Sequence, residues 1–270
     1  MLKFISYYGF RYNPFDKEMV NSGNIFPSQD FKAVQSRLSM LSESRGIGVF
    51  TAPPGDGKTL DIRCFTDNLN PNLFATGYIS LSTVTVAEFY RQWCDLLGVD
   101  KKGGKPGMLR NMKEQMKHMY KVKRQPLFLV LDEAQCLSTA ILNDLKIILN
   151  FDCDSLNCIC LVLCGEPHFN DILCKPVHEA LLQRMTVHYE FRGLQDEEVA
   201  NYVRHKITQA GGTTAMLSDS ALNAIHGHSH STPRIIDNLM TDALMIGAQN
   251  DKQVIDADVI LAAVNNRNLL

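Results

Sequence analysis

The sequence predicts an α/β fold in which helices flank a central parallel sheet, followed by a small C-terminal region made only of helices. Short apolar runs alternate with helical patterns as far as residue 191. One of these runs, 127–131, is apolar at every position, as expected of a strand buried on both faces. From residue 192 onward only helical patterns occur. We therefore expect two domains, an α/β domain over residues 1–191 and a helical lid over residues 192–270.

The composition is that of an ordinary globular protein: 45% of the 270 residues are hydrophobic and 21% are charged. The net charge of −2 predicts no long-range attraction to nucleic acid or membrane, so such binding needs a local patch. No apolar run approaches the ~20 residues that span a bilayer, and the N-terminus lacks a signal-peptide pattern. These features predict a cytoplasmic protein without a membrane partner. The eight cysteines include no C-x-x-C pair and are expected to be reduced and mostly buried.

The first third of the chain alternates helices and strands. Residues 1–20 form an aromatic segment rather than a regular helix. The elements expected after it are a helix over 28–45 capped by Ser28, a strand around 47–50, a helix over 59–69, a strand over Ala75–Leu81 and a helix over Val86–Leu97.

The turn after the first strand reads A-P-P-G-D-G-K-T-L over residues 52–60. An apolar strand, a Gly/Pro-rich turn and Lys-Thr at a helix start form the pattern of a phosphate-binding loop. Lys58 would reach the β- and γ-phosphates and Thr59 would bind Mg²⁺, which predicts ATP and Mg²⁺ as ligands. The alternative is a chance glycine-rich turn. The residues expected to contact the nucleotide here are Pro54, Gly55, Asp56, Gly57, Lys58, Thr59 and Leu60.

Three residues of the N-terminal segment are candidates for the other end of the nucleotide. Asn13, Pro14 and Phe15 either cover the edge of the core or line an adenine ring, and the two roles are compatible.

One segment, 101–124, carries nine lysine and arginine residues and a single acid, Glu114. Its net charge is therefore +8, which leaves −10 for the rest of the chain. A Gly/Pro-rich loop over 103–107 leads into a helix whose apolar face is rich in methionine. The segment is either a solvated helix face or a contact surface for a polyanion.

The strand over Leu127–Leu131 ends in the acidic pair Asp132-Glu133, about 75 residues after the phosphate loop. An apolar strand that ends in two carboxylates is the Walker B pattern. Asp132 is expected to hold Mg²⁺, and Glu133 to polarise the water that attacks the γ-phosphate. Two motifs in the correct order make ATP hydrolysis to ADP and phosphate the predicted chemistry.

Two further candidate catalytic residues follow. After a helix over 138–149 and a strand over Cys158–Leu163, Glu166 either touches the γ-phosphate or the attacking water, or is a turn residue. Arg184 lies between a helix and a short strand within 176–190. From there it would project toward the phosphates bound by a neighbouring subunit.

The C-terminal region is expected to contain four helices. They run from Leu194 to Gly211-Gly212, over 219–226 after Ser218, over 233–248 from Pro233-Arg234, and over 257–265 after Asp256. The alternating His226, His228 and His230 are interpreted as a solvent-facing turn. A metal site is the alternative, but no carboxylate or cysteine that would complete it lies nearby in the sequence.

Together these motifs resemble the AAA+ ATPases of the ExeA/TnsC/TniB type, over about residues 7–265. The matching motifs are Tyr8-Gly9-Phe10 with Asn13-Pro14-Phe15, the phosphate loop, Leu131–Gln135, Gly165-Glu166-Pro167, Gln183-Arg184, Tyr202-Val203 with His205-Lys206, Ala210-Gly211-Gly212, and Pro233-Arg234. The chain departs from the family pattern at Ala52, Ser231 and Glu166, where Gly, Gly and Gln are common.

The resemblance implies a P-loop AAA+ core, a helical lid and a role for each matching residue. The implied roles are phosphate and Mg²⁺ binding for Lys58 and Thr59, Walker B for Asp132 and Glu133, a place near sensor 1 for Glu166, an arginine finger acting in trans for Arg184, and sensor 2 for Arg234. It also implies a homo-oligomer, either a ring or a helical filament.

Within this family the chain looks like the regulators of transposition that assemble on double-stranded DNA with ATP. Such proteins activate a DDE-type transposase, and a target-selection protein is a further candidate partner. The chain ends at Leu270 without the membrane span and cell-wall-binding domain of secretion-type members, which favours this branch. Lys101, Lys102, Lys105 and Arg110 would then contact DNA phosphates. The alternative is a secretion or protein-remodelling ATPase that does not bind DNA.

Overall fold

The computed structural model describes residues 3–19, 23–82, 85–152 and 155–267, so Cys153 lies outside the described residues. The strands are β1 (Gly46–Thr51), β2 (Ala75–Ser80), β3 (Leu127–Asp132), β4 (Ile159–Gly165) and β5 (Met185–Glu190). The helices are α1 (Lys3–Tyr7), α2 (Gln29–Ser44), α3 (Lys58–Asn68), α4 (Val86–Leu97), α5 (Gly104–Lys121), α6 (Thr139–Ile148), α7 (His168–Leu173), α8 (Glu179–Leu182), α9 (Asp196–Gln209), α10 (Asp219–Ser229), α11 (Pro233–Gln249) and α12 (Ala257–Arg267).

The strands form one parallel sheet in the order β2-β3-β4-β1-β5. Every residue of β3 and β4 is buried, which explains why both strands read as unbroken apolar runs. Ser80 pairs with Asp132, and Thr51 pairs with Gly165, so the carboxyl ends of four strands lie at one edge. The predicted α/β fold with a parallel sheet, flanking helices and a helical C-terminal region is confirmed.

Each face of the sheet is covered by helices. One face packs against α4, α5 and α6 through side chains such as Trp93, Met112 and Ile141. The other packs against α2 and α3, where Leu38 and Ile62 are buried. Full burial of one such side chain contributes about 1.5–3 kcal/mol. Truncating Leu38, which is fully buried, to alanine is expected to cost about 2–5 kcal/mol.

The described residues form two compact units. One contains the sheet and its helices, over 33–54 and 58–191. The other contains the N-terminal residues as far as Lys32, the three loop residues Gly55–Gly57, and the chain from Arg192 onward. Its core is formed by α1 and α9 to α12, with Phe4, Val203 and Met240 buried. The division into domains at residue 191 stays a prediction.

Two parts of the chain predicted to be irregular are helical, so those predictions were wrong. Residues 3–7 form α1, because Phe4 and Ile5 are buried in the helical unit and this burial stabilises a turn that propensity alone does not. The predicted loop over 103–107 is the first turn of α5. Gly103 supplies a left-handed N-cap, and Pro106 in the first turn sacrifices no helical hydrogen bond.

The histidine loop is also helical over most of its length. α10 continues to Ser229, because Ile225 and Ser229 extend its buried face. His230 is the left-handed C-cap, with φ of 47°. His226 Nε2 lies 3.0 Å from the Asp196 carboxylate. In the described part of the chain no group of three or more His, Cys, Asp or Glu side chains could hold a metal ion. None of the described helices is both long enough and apolar enough to cross a membrane.

Candidate functional site

The carboxyl edge of the sheet brings together the Lys-Thr pair of the phosphate loop and the first carboxylate of the acidic pair. Lys58 is the first residue of α3, and its Nζ lies 3.7 Å from Asp132 Oδ1. Thr59 Oγ1 donates a hydrogen bond of 2.9 Å to Asp132 Oδ2. Lys58 is 9% exposed and Asp132 4% exposed. The two sequence motifs therefore meet in the sheet-containing unit.

This set of atoms fits a nucleotide with its metal. A hydroxyl and a carboxylate are the hard oxygen donors that Mg²⁺ prefers, and Mg²⁺ is usually held by one or two such groups together with phosphate and water. The N-terminus of the eleven-residue helix α3 offers backbone N–H groups and a positive dipole to phosphates.

The middle of the phosphate loop packs on the start of α11, within the helical unit. Gly55 has φ of +107° and Gly57 has φ of +92°, conformations that favour glycine. The backbone N–H of Arg234 donates to the Gly55 carbonyl at 3.3 Å. A Cβ added to Gly55 would lie 2.9 Å from the Arg234 Cβ and 3.1 Å from the Thr232 methyl group. The loop therefore needs glycine at residue 55 for its backbone conformation and for this close approach.

Asp56 is a buried carboxylate in the same loop. Burial raises its pKa, a hydrogen bond with Thr232 opposes that effect, and the nearby Asp30 carboxylate adds to it. Asp30 itself accepts hydrogen bonds of 3.0 Å from the backbone N–H groups of Arg192 and Gly193. Thr232 is the N-cap of α11, which has no acidic residue in its first turn. Asp56 therefore supplies negative charge near the amino end of the helix that carries Arg234.

The second acidic residue, Glu133, has a backbone conformation that is rare outside glycine. Its φ of 59° and ψ of 40° lie in the left-handed region, which costs on the order of 1–3 kcal/mol and is concentrated at functional sites. Gln135 Nε2 donates to Glu133 Oε2 at 2.6 Å, and Gln135 Oε1 accepts from the Glu166 backbone N–H at 3.1 Å. Gln135 thus connects the carboxylate of Glu133 to the residue that follows β4.

Tyr78 is a site residue that sequence reasoning missed. Its hydroxyl donates a 2.7 Å hydrogen bond to Asp132 Oδ2, the oxygen that also accepts from Thr59. Partial burial and, secondly, the bond to Asp132 raise the pKa of Tyr78, so the hydroxyl keeps its proton. The only sequence signal is its place two residues before Ser80, which the parallel register sets beside Asp132.

The residues after β4 give Glu166 one described side-chain neighbour: its Oε2 lies 3.5 Å from His168 Nδ1, and both side chains are exposed. Asn170, which the sequence did not single out, donates to the hydroxyl of Thr51 at 3.0 Å, next to the phosphate loop. Its carbonyl oxygen lies 3.1 Å from His188 Nε2. The sensor-1 role of Glu166 stays a prediction, and Asn170 is a second polar group at this edge.

Arg184 ends the segment between α8 and β5. Its Nη1 donates to the carbonyl oxygen of Lys146 on α6 at 2.9 Å, and its side chain is half-buried. Its role as an arginine finger concerns a neighbouring subunit and stays a prediction.

The three N-terminal candidates lie in the helical unit. Phe15 is 5% exposed and belongs to the core that α9 and α11 help to form. Asn13 Oδ1 accepts a hydrogen bond from the Phe15 backbone N–H at 3.1 Å, and Pro14 is buried. These contacts agree with the core-covering role; the adenine-lining role stays a prediction.

A buried ion pair lies above Phe15 in the same unit. Lys206 Nζ is 2.7 Å from Asp237 Oδ2, and the Tyr202 hydroxyl donates to Asp237 Oδ1 at 2.9 Å. The ammonium group lies 4.9 Å from the centre of the Tyr202 ring and 5.7 Å from that of Phe15. Asp237 is one turn beyond Arg234, so the pair fixes α11 against α9.

The basic segment is largely paired with acids that lie outside it. Four carboxylates outside the segment form ion pairs with five of its lysines. The pairs are Lys101–Asp95, Lys102–Asp100, Lys105–Asp144, Lys117–Asp152 and Lys121–Asp152. These four acids reduce the net +8 of the segment to +4.

The four predicted DNA contacts differ in how firmly they are held. Lys102 is almost fully exposed and 3.5 Å from Asp100, a kind of pair that contributes little. Lys105 lies 2.7 Å from Asp144, whose side chain is only 7% exposed. Within the described ranges no carboxylate lies within ion-pair distance of Arg110, which is exposed. Lys105 therefore has a structural role in addition to any contact with DNA.

Comparisons with known proteins agree with the fold. Residues 41–173, just under half of the chain, match the family model described as AAA domain. The general secretion pathway protein A of Aeromonas hydrophila is 29% identical over 227 residues, which are 83% of this chain and 41% of that protein. The chain thus spans about two fifths of the length of this curated relative.

Solved structures with the same fold have low sequence identity. The Aeropyrum pernix ORC2 protein, solved as ADPNP-ADP complexes, superposes with a TM-score of 0.69 at 13% identity, over 95% of this chain and 72% of that one. The Aeropyrum pernix ORC1 protein in complex with DNA gives a TM-score of 0.66 at 14% identity, over 95% and 69%. The likeness to these solved structures shows the α/β fold, and the family match is a similarity of residues 41–173 to the AAA domain model.

Proposed function

We propose that this protein binds ATP with Mg²⁺ and hydrolyses the γ-phosphate. The observation that carries the proposal is the meeting of Lys58, Thr59 and Asp132 at the carboxyl edge of the sheet. The loop 54–60 and the start of α3 hold the phosphates through backbone N–H groups. Thr59 and Asp132 hold Mg²⁺, which neutralises charge on the phosphates when it is bound.

Glu133 is the proposed base that orients and deprotonates the attacking water. The hydrogen bond from Gln135 holds its carboxylate in one orientation. Arg184 acts on the phosphates of a neighbouring copy, and Arg234 acts as sensor 2. An arginine finger can contribute about 10³–10⁵ in rate, so hydrolysis by an isolated subunit should be slow. This assignment predicts that turnover rises steeply with protein concentration as a ring or filament assembles.

The test of the nucleotide proposal is direct. Binding of a fluorescent non-hydrolysable ATP analogue is measured for the wild type and for Lys58→Ala, with and without Mg²⁺. Saturable binding that Mg²⁺ tightens and that Lys58→Ala weakens supports the proposal. If the wild type binds no nucleotide at millimolar concentration, the proposal fails.

In its finer form, we infer that the protein is an ATP-dependent regulator of DNA transposition that assembles on double-stranded DNA and activates a DDE-type transposase. The support is the exposed basic surface around Lys101, Lys102 and Arg110, together with a fold shared with a protein solved in complex with DNA. Contacts of this kind are made to phosphates, tolerate any sequence and weaken with salt. Lys105 is half-exposed and paired with the buried Asp144 carboxylate, so a charge reversal at Lys105 would also disturb that pair.

The DNA proposal is tested by duplex binding across a salt series, with and without the ATP analogue. The informative variant is Lys102→Glu/Arg110→Glu, which leaves the Lys105–Asp144 pair intact. The control is Arg63→Glu, which reverses the charge of an exposed residue on α3. We expect the double reversal to weaken binding and flatten its salt dependence, and the control to have little effect. Binding that is absent, or indifferent to the double reversal, would contradict the proposal.

The second candidate is a secretion-type or protein-remodelling ATPase, favoured by the identity to general secretion pathway protein A. It predicts the same nucleotide chemistry without DNA binding. The duplex-binding experiment therefore separates the two functions, and the nucleotide experiment does not.

A further inference from the structure

Asp132 is a buried carboxylate whose orientation depends on two hydroxyl groups from different elements. Its Oδ2 accepts from Thr59 on α3 at 2.9 Å and from Tyr78 on β2 at 2.7 Å. Its Oδ1 accepts from the Glu133 backbone N–H at 2.9 Å and lies 3.7 Å from Lys58 Nζ. The side chain is 5% exposed, so these groups, rather than bulk water, satisfy it.

Tyr78 reaches Asp132 from an exposed position on β2, and its hydroxyl also has a hydrogen bond with Ser80. β2 is an edge strand, and its residues Thr76, Tyr78 and Ser80 are exposed on alternate positions. The tyrosine is 53% exposed, so its ring contributes little burial for its size. The hydroxyl nevertheless reaches the carboxylate at the end of β3, because β2 and β3 are parallel and in register, with Tyr78 beside Val130 and Ser80 beside Asp132.

Of the two hydroxyl donors, Tyr78 is the one that is not itself a proposed Mg²⁺ ligand. Thr59 is the residue proposed to bind Mg²⁺ itself, and a hydroxyl engaged by a cation through its oxygen has less freedom to orient a neighbouring carboxylate. A carboxylate next to a metal is held in place by hydrogen bonds from surrounding residues, and losing one of them typically costs about 10–100-fold in metal affinity.

We propose that Tyr78 is a positioning residue for the Mg²⁺ site, where its hydroxyl holds the Asp132 carboxylate beside Thr59. This inference rests on the proposed nucleotide function. In this role Tyr78 contacts neither the phosphates nor the attacking water, because it acts through Asp132. Its removal should therefore weaken the dependence on Mg²⁺ without weakening the contacts that the loop backbone and Lys58 make with phosphates.

The experiment titrates Mg²⁺ at a fixed concentration of the fluorescent ATP analogue and measures the Mg²⁺ concentration at half-maximal binding. Tyr78→Phe removes only the hydroxyl, and Tyr120→Phe on α5 is the matched control. We expect Tyr78→Phe to raise the Mg²⁺ midpoint by about 10–100-fold. Binding of the analogue in excess EDTA should change less than twofold, and Tyr120→Phe should match the wild type in both measurements. Tyr78→Leu, which also lacks the hydroxyl, should raise the Mg²⁺ midpoint by the same factor.

The outcomes separate the two proposals. If the wild type shows no Mg²⁺-dependent binding, the nucleotide function fails and this inference fails with it. If the wild type binds with Mg²⁺ and both Tyr78 variants keep its Mg²⁺ midpoint, the nucleotide function stands and Tyr78 has no positioning role. Equal weakening with Mg²⁺ and in EDTA would also overturn the inference, because it would show a general effect on the site rather than one on the metal.

Discussion

Replacing Lys206 with methionine should destabilise the helical unit, because it removes the cation that a buried carboxylate faces. The Lys206 and Asp237 side chains are only 10% and 19% exposed, with 2.7 Å between Nζ and Oδ2. Methionine keeps an unbranched stem against the rings of Phe15 and Tyr202, so loss of the charge is the main change. Removing one partner of a buried ion pair costs about 3–5 kcal/mol.

Protonation of Asp237 sets an upper limit on that cost and gives it a pH dependence. A carboxylate with an ordinary pKa near 3.9 can be protonated at a cost of about 4 kcal/mol at pH 7. The same protonation costs about 2 kcal/mol at pH 5.5. Burial raises the pKa of Asp237, and Lys206 opposes that effect, so the pKa rises further in the variant. A group whose pKa is raised by folding favours the folded state at low pH. The loss of stability should therefore be smaller at pH 5.5 than at pH 7.

The assay is urea denaturation followed by far-UV circular dichroism at both pH values, with amide hydrogen exchange of α9 and α11. Trp93, the single tryptophan of the sequence, lies in the other unit, so amide exchange rather than fluorescence follows α9 and α11 directly. The control is Lys206→Met/Asp237→Leu, which removes both charges and should recover most of the lost stability. A loss below about 1 kcal/mol at pH 7, typical of an exposed pair, would refute the reasoning, as would an equal loss at both pH values.

Three further predictions concern the site and its surroundings. Glu133→Gln should bind the ATP analogue as tightly as the wild type and lose about 10²–10⁴ in turnover, the contribution of a general base; normal hydrolysis in a steady-state assay would show that the Walker B assignment is wrong. Gly55→Ala should lower the free energy of unfolding by about 1–3 kcal/mol, because a left-handed backbone is strained and the new Cβ would lie 2.9 Å from the Arg234 Cβ. Gly9→Ala is its control, with φ of +71° and open space around the Cβ position, and should cost less in the same denaturation assay. His178 is fully buried, with no described partner for either ring nitrogen, and burial followed by two nearby lysines lowers its pKa. The unfolded chain therefore takes up this proton first, so stability should fall as the pH drops below about 6.5, and His178→Leu should reduce that slope; an unchanged slope would contradict the assignment.

The parts of the fold that depend on local patterns could be predicted from the sequence. The helix over Val86–Leu97 has the predicted bounds, because Thr85 and Glu88 form a capping box and Gly98 ends the helix in a left-handed conformation. The strand over 127–132 was predictable from its apolar run over 127–131, whose length and composition are typical of a strand buried on both faces. Local signals of this kind set the fold class and the place of the two nucleotide motifs.

The rest depends on contacts between residues far apart in the sequence. Tyr78 and Gln135 become site residues only through the strand register and the direction of a side chain, which no local pattern encodes. The net charge of +8 counted for the basic segment does not include its pairing with Asp144 and Asp152, which lie 20 or more residues beyond its end in the sequence. The left-handed backbone of Glu133 likewise follows from the tertiary structure and has no sequence signature.

Helix α5 rests on the sheet-containing unit through Met108, Met112, Met116 and Met119, all of them buried. Methionine is unbranched and polarizable, so its side chain adapts to small changes in packing. The four methionines therefore let α5 repack against the sheet at little cost. Substitution of an exposed α5 residue that has no ion pair or hydrogen bond to another described part of the unit, such as Arg110, should leave the melting temperature almost unchanged. A loss of DNA binding in such a variant can then be attributed to the altered surface charge and not to a loss of stability.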